Sequence, residues 1–467
     1  MNERGLELAL AKMKAAGLSA AAGQSFHHAW QLAAGGAAGL MPECELEAVT
    51  DVPSLAGVAE ASPDLALLDR LCVIKLNGGL GTSMGLDQAK SLIPIKDGLT
   101  FLDFIARQIL WLRRQHGTRG PRFLLMDSFS TSSDTLAFLT RYPELSGPDG
   151  LDFLQNKVPK LLADTLEPVQ WPHDRDLEWC PPGHGDLYPS LLGSGWLDRL
   201  AGEGVEYLFV SNSDNLGATA DPGLLAYFAR SGLSFLMEVA ERTASDRKGG
   251  HLARRRSDGR LVLREVAQCP KEDGDAFQDI GRHRFFNTNT LWLRVSDLRA
   301  ALDAQGGALP LPLIKNTKTV DPRDPSSPKV LQLESAMGAA IECFAKSGAV
   351  LVPRSRFAPV KTTGDLLALR SDAYVVTEDE RLELCQERGG VPPEVTLDDT
   401  QHKLLAGLES AFGGTAPSLR ECARFEVRGP WTFADGVVCR GQAVFINESD
   451  TTAHCAAGAY EGVVTSR

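Results

Sequence analysis

No run in this 467-residue chain is apolar for long enough to cross a bilayer. The first 26 residues, "MNERGLELALAKMKAAGLSAAAGQSF", lack the uncharged apolar centre of a signal peptide, because Glu3, Glu7, Lys12 and Lys14 interrupt them. They suit an amphipathic helix of the mature protein. Positive charge is also scarce. Lys and Arg number 48 against 60 Asp and Glu, a net charge of −12, which argues against nucleic acid or an anionic membrane as the main partner. A phosphorylated small molecule stays open, since a cleft can be locally basic. The nine cysteines include no CxxC and no close pair, so neither a cysteine zinc site nor a disulfide framework is suggested. Reduced thiols in a cytoplasmic protein are the simplest reading.

What the chain does have is an alternation of short apolar runs and helical patterns. "RLCVIKL", "RFLLMDS", "EYLFVSNSD" and "LSFLMEVAE" have the length and the β-branched or aromatic content of buried strands. "TFLDFIARQILWLRRQ", "SSDTLAFLTRY", "LYPSLLGSGWLDRLAG" and "DPGLLAYFARS" between them show helical spacing with capping residues ahead. The pattern predicts an α/β fold, a mostly parallel Rossmann-like sheet covered by helices on both faces. "RLVLREVAQ" and "RFFNTNTLWLRV" read as further strands, and "VLQLESAMGAAIECFAKSG" reads as a helix. The expected organisation is an N-terminal helical segment over 1–70, a catalytic domain over 71–385 and a small β-rich domain over 400–467. In the last, glycines at 429, 436 and 441 punctuate β-prone steps, leaving a short β-helix and a β-meander both open.

Right after the first predicted strand comes "KLNGGLGTSMGLDQAKSLIPI", with Gly78, Gly79, Gly81 and Gly85 followed by Lys90. Bare backbone after a buried strand lets successive N–H groups form an anion-binding concavity. The spacing fits neither the dinucleotide fingerprint, since three residues separate Gly81 from Gly85, nor a Walker A loop, since no Lys follows Gly85. Phosphate binding explains the glycines and the trailing Lys-Ser better than a tight structural turn does. "WCPPGHGDLYPSLL" sets Gly183, His184 and Gly185 before a helix, where the dipole favours anions. "YLFVSNSDNLGATAD" ends a strand with Asn212, Asp214 and Asn215, and a carboxylate at such a tip beside phosphates is a natural Mg²⁺ ligand. In "PRSRFAPVKTTGDL", Arg354, Arg356 and Lys361 sit among proline, aromatic and β-branched residues, which suggests a second phosphate-neutralising group.

Taken in order, "KLNGGLGTSMG…AKSLIPI", "FLQNKVPKL", "WCPPGHGDLYPSLLGSGWLDRLAGEGVEYLFVSNSDNLGATAD", "RKGG", "FFNTNTLW", "VLQLESAMGAAIECF" and "VPRSRFAPVKTTGDLL" closely resemble the UTP–glucose-1-phosphate uridylyltransferases (UDP-glucose pyrophosphorylases) of the eukaryotic type. The resemblance covers roughly residues 70–375. It implies a nucleotidyltransferase that makes UDP-glucose and pyrophosphate from UTP and glucose-1-phosphate with Mg²⁺. By the same resemblance Leu76, Asn77, Gly78, Gly79, Gln155 and Gly183 hold the nucleotide, Lys90 the triphosphate, and Asp214 the Mg²⁺. His184, Asn212, Glu265, Asn287 and Asn289 face the sugar phosphate. Lys361 is the second essential basic residue, with Lys248 and Lys318 as further phosphate contacts.

The chain departs from the family pattern with Gln88-Ala89 where Gly-Pro is usual and Thr317 where Pro is usual. Its tail after residue 400 reads as shorter than the family's C-terminal β-helix, and the oligomeric state is left open. Another sugar- or cyclitol-1-phosphate, or another NTP, would use the same chemistry. A non-catalytic nucleotide-sugar sensor is the reading of a different class. It would be expected to lack a lysine or the metal carboxylate, yet Lys90, Asp214 and Lys361 are all present.

Overall fold

A computed structural model describes residues 3–36, 39–147, 149–243, 246–247 and 249–466. Ten strands form the central sheet: β1 Leu46–Ala48, β2 Leu71–Asn77, β3 Arg122–Asp127, β4 Asp152–Leu154, β5 Tyr207–Asn212, β6 Phe235–Glu241, β7 His251–Arg255, β8 Leu261–Arg264, β9 Phe285–Arg294 and β10 Ser347–Leu351. Their order is β1-β7-β9-β5-β2-β3-β4, with β6 beside β9 and β10, and β8 beside β7. The run β5-β2-β3-β4 is parallel, whereas β9 is antiparallel to both β5 and β6, so the sheet is mixed. Every residue of β2 is buried, as a central strand covered on both faces requires.

Helices cover both faces. Phe101–His116 lies on one, started by a reciprocal cap between Thr100 and Asp103 and ended at Gly117, whose φ of +63° suits glycine. With Pro222–Ser231 it encloses Val73, Phe123, Phe209 and Trp292. Leu187–Gly193, Trp196–Gly202 and Val295–Ala304 cover the other face over Ile74, Leu124, Leu208 and Leu291. At the N-terminus, helices Glu3–Ala15 and Ala20–Ala34 bring Ala9, Met13, Phe26 and Trp30 against Val158, Leu161 and Leu333. The same N-terminal region contributes β1, an edge strand of the central sheet.

One expected helix is absent. "VLQLESAMGAAIECF" instead forms strand Lys329–Glu334, paired antiparallel with Ile314–Thr319, and a 3₁₀ turn at Met337–Cys343. The pairing uses the alternating burial of the first half, and Gly338 lies so close to Asn287 that a Cβ there would come within 2.7 Å of Nδ2. The helical spacing of its apolar residues therefore reports two surfaces rather than one helix face.

In the C-terminal region β11 Glu394–Leu397, β12 Ser418–Arg428, β13 Val437–Ile446 and β14 Gly458–Thr465 are each parallel to the next, and a second parallel pair joins Trp431–Phe433 to Ala453–Cys455. Sequential strands that pair in parallel wind as a coil, so this is a short β-helix and not a meander. Its first strand lies ahead of residue 400. Phe425, Phe433 and Phe445 meet in its interior in tilted and edge-on contacts, and Phe412 of the helix Leu405–Phe412 stacks on Phe433. Gly429 and Gly436 turn its corners with φ near +76° and +81°.

Candidate active site

The carboxyl ends of β2, β3 and β5 meet at one edge of the sheet, where ligands of such sheets bind. Asn77, the last residue of β2, pairs in register with Asp127, and its side chain donates to Asp127 Oδ1 (2.7 Å) and Thr135 Oγ1 (3.0 Å). That amide is spent on the floor of the loop, which leaves the Asn77 backbone, not its side chain, free for a ligand. Burial pushes the Asp127 carboxyl up to about 7. The glycines that follow are needed for different reasons. A Cβ on Gly78 would stand 2.8 Å from Gln155 Oε1, and one on Gly81 2.5 Å from Leu86 Cδ1. Gly85 has φ +77° and lies against Leu404 of the C-terminal region, whose Cδ2 is 3.2 Å from the Cβ position. At Gly79 a Cβ would meet nothing within 4 Å, and φ is not positive. Packing does not require that glycine; it keeps open the space in front of the loop.

Gln155 joins this loop to the second glycine stretch. Its Nε2 donates to Gly183 O (2.9 Å), while its Oε1 borders Gly78. Gly183 has φ +79°, and Ser335 O would be 2.4 Å from its Cβ. His184 Nδ1 accepts from the Met337 N–H at 3.0 Å, so the neutral ring carries its proton on Nε2. Desolvation holds its pKa down to about 4.

Asn212, at the end of β5, lies beside Leu76 in register. Two residues on, Asp214 Oδ2 accepts from Lys90 Nζ at 2.7 Å, with both side chains about one-fifth exposed at 22% and 19%. Asp214 Oδ1 is buried and has no hydrogen-bond partner among the described residues. Lys90 also donates to Val360 O, the residue before Lys361. The chain leading into Lys361 thus meets Lys90 from the far end of the sequence; Lys361 itself is exposed, and among the described residues its ammonium makes no ion pair. Asn215 fixes that approach, donating to Arg356 O (3.1 Å) and accepting from Ala358 N (3.0 Å).

Burial raises the Glu265 carboxyl, and the charge of Lys361 acts on it in the opposite sense. Gly250 backs Glu265 so closely that a Cβ would stand 2.5 Å from its carboxyl group. Asn287 donates to Asn289 Oδ1 (2.8 Å) and receives the Asn289 N–H (2.9 Å), a mutual bond that holds Asn289 at φ +56°.

Not every basic candidate joins this group. Arg356 is buried and bound in bidentate fashion to Glu238, with Nε–Oε2 2.8 Å and Nη2–Oε1 2.7 Å, so it is a core ion pair and not a phosphate ligand. Arg354 is paired with Asp246 at 2.9 Å. Their proline and aromatic surroundings reflect packing of the segment. Lys318 is exposed on Ile314–Thr319, where its charged neighbour is Lys160. Lys248 lies outside the described residues. Sequence reasoning named Asn215 at the strand tip without giving it this bridging role, and it missed Lys75. The latter is buried in β2, donates to Ser211 Oγ (2.8 Å) and Ala218 O (2.7 Å), and has its pKa lowered to about 7, first by burial and then by Arg356. The one charge inside "LCVIKL" was the available signal.

The site therefore combines exposed loop backbone, two lysines, one half-free carboxylate and a neutral imidazole donor. That set suits neutralising and orienting a polyphosphate. The family model described as UTP–glucose-1-phosphate uridylyltransferase matches residues 41–440. The enzyme of that name from Solanum tuberosum is 39% identical over 406 residues, 86% of this chain and 82% of its own. That from Saccharomyces cerevisiae is 40% identical over 390 residues, 83% and 76% of the two chains. Among solved structures, a UDP-glucose phosphorylase from Trypanosoma brucei is 47% identical with a TM-score of 0.91, covering 99% of this chain and 100% of that one. A variant of the UDP-glucose pyrophosphorylase of Leishmania major, in complex with UDP-glucose, is 46% identical with a TM-score of 0.93 and full coverage of both chains, 100% each. Against these two the tail after residue 400 is not shortened, a correction to the expectation from sequence.

Proposed function

This chain belongs to the UTP–glucose-1-phosphate uridylyltransferase family, and from that footing we propose that it is an enzyme forming UDP-glucose and pyrophosphate from UTP and glucose-1-phosphate. The observation that carries the reading is the meeting of Lys90, Asp214 and the Val360–Lys361 backbone in front of the glycine loop. A sugar-phosphate oxygen attacks the α-phosphorus and pyrophosphate leaves in line. The attacking phosphate is already ionised, so no protein nucleophile is required, and catalysis is positioning plus charge neutralisation.

In this reading Leu76, Asn77, Gly78 and Gly79 present backbone to the nucleotide, and Gln155 and Gly183 border the base and ribose. Lys90 turns from Asp214 to the phosphates, with Lys361 opposite. His184 donates from Nε2 toward the sugar phosphate, and Asn212, Glu265, Asn287 and Asn289 line the sugar side. Mg²⁺ is supported by the donor set. The described residues hold no cage of three His, Cys, Asp or Glu. Yet Asp214 Oδ1 is buried and unpartnered, which suits a hard cation held mainly by phosphate oxygens and one carboxylate. When bound, the ion would neutralise charge on the phosphates. All nine cysteines are free thiols, and no helix among the described residues is long and apolar enough to cross a membrane.

The test is a screen of pyrophosphate release pairing each NTP with a panel of sugar-1-phosphates in the presence of Mg²⁺. UTP with glucose-1-phosphate is expected to turn over fastest. A clear preference for another pair would overturn the substrates and leave the reaction class standing; no release with any pair would favour a sensor.

A further inference from the structure

Lys75 is an ammonium in the middle of an apolar strand, 2% exposed, four residues ahead of Gly79. A buried charge is expensive unless it is paired and hydrogen-bonded. Among the described residues no carboxylate is bonded to this one; its acceptors are a hydroxyl, Ser211 Oγ, and a carbonyl, Ala218 O. An apolar side chain would fill the same core position without that desolvation. What the lysine adds is a grip on the chain either side of Asp214.

The grip is part of a larger arrangement. Ala218 and Thr219 offer consecutive carbonyls, and Lys75 takes the first while Arg356 Nη2 takes the second at 2.8 Å. Gly217 lies so close to Ser355 that a Cβ would stand 2.3 Å from its carbonyl oxygen. Asn215 bonds Arg356 O and Ala358 N of the same opposing segment, which runs on to Val360 and Lys361. The loop carrying Asp214 is thus held from beneath by Lys75 and from the side by the segment carrying Lys361.

We propose that Lys75 is a positioning residue for uridylyl transfer, its buried ammonium pinning Ser211 and Ala218 so that the loop between them presents Asp214 at a fixed place relative to Lys90 and Lys361. The inference rests on the function proposed above for this site. It differs from a packing role in what it makes vulnerable. Loss of the grip lowers the fraction of molecules with the carboxylate in place, so kcat and the response to Mg²⁺ change more than substrate KM does.

Lys75→Met keeps the volume and removes the charge. In the full chain its kcat is expected to fall about tenfold or more, the scale of one charge-assisted hydrogen bond lost beneath the reacting groups. KM for both substrates should stay within about threefold, half-saturation by Mg²⁺ should rise, and the melting temperature should hold or increase. Hydrogen–deuterium exchange of residues 213–221 in the metal-free protein should speed up while the rest of the sheet stays protected. Faster exchange without a fall in kcat overturns the proposal, as does a fall in kcat without loosening of that loop, or no change in either. If Lys75→Met does not fold, Ser211→Ala decides. A loss of kcat of about threefold with looser 213–221 supports the grip, and wild-type behaviour in both overturns it. Inactivity of the wild-type enzyme on UTP and glucose-1-phosphate would instead strike the proposed function, while the exchange measurement would still report on the grip.

Discussion

Two ion pairs in this molecule use the same chemistry to opposite ends. Arg356 and Glu238 are 8% and 0% exposed, bidentate, and joined by the Trp292 indole N–H at 3.0 Å on the same carboxylate. Lys90 and Asp214 touch through one oxygen, stand 19% and 22% exposed, and leave Asp214 Oδ1 without a partner. The first pair has every strong bond satisfied and nothing to offer a ligand. The second is half-satisfied and partly exposed at the end of a strand, and in the proposed reaction it is exchanged for phosphate and a cation. A saturated pair marks architecture, and an unsaturated one at a strand end marks chemistry.

Breaking the saturated pair should have the largest effect. Arg356→Leu would strand the Glu238 carboxylate in the core and destabilise the protein by about 3–5 kcal/mol, read as an earlier denaturant midpoint. Arg356→Met combined with Glu238→Met should recover much of that loss. An unchanged midpoint in the single variant would erase the distinction drawn between the pairs.

The open pair should behave in reverse. Lys90→Ala and Lys361→Ala are each expected to cost on the order of 3–4 kcal/mol of transition-state stabilisation, a fall in kcat/KM of about 10²-fold or more, with little movement of the melting temperature. The losses in the double variant should not add, because both charges act on one transition state. Near-normal kcat/KM in either single variant would reassign that lysine to the solvated surface.

A finer probe uses His184. Its folded pKa of about 4 lies below the ordinary 6.5, so between those values the unfolded chain binds more protons. Its contribution to stability is then complete above about pH 6.5 and is lost as pH falls toward 4. His184→Gln should flatten part of the stability decline across that window, and an identical slope would show that the ring is not held neutral. The smallest effect belongs to Lys318, exposed on an outlying sheet. Lys318→Ala should change kcat/KM by less than about twofold, since an exposed lysine contributes well under about 1 kcal/mol through surface pairing. A loss comparable with that of Lys90→Ala would restore it to the phosphate site.

Much of this was legible because the sheet writes itself as apolar runs and the glycine loop has no tidy alternative explanation. The glycines needed the structure to be told apart: Gly78 and Gly81 are bare for packing, whereas Gly79 has open space before it, as the proposed nucleotide site requires. Arg356 and Lys361 could not be separated by sequence, since both sit among prolines and β-branched residues five positions apart. Only the position of Glu238, 118 residues away, distinguishes them. Lys75 escaped notice because its acceptors lie on a different strand and loop. The strand at Lys329–Glu334 was misread because local apolar spacing carries no trace of its partner.

The helix Leu405–Phe412 bears on how such a chain can be inherited. Just ahead of it Leu404 rests against Gly85, while at its last residue Phe412 stacks on Phe433 of the β-helix, ring centroids 4.7 Å apart. Eight residues thus face two regions at once. A recombination joint placed before Leu404 would bring a foreign side chain against Gly85, and one placed after Phe412 would separate the β-helix from the ring stacked on Phe433. Exchange of tails between relatives would therefore have to carry this helix together with its partners on both sides.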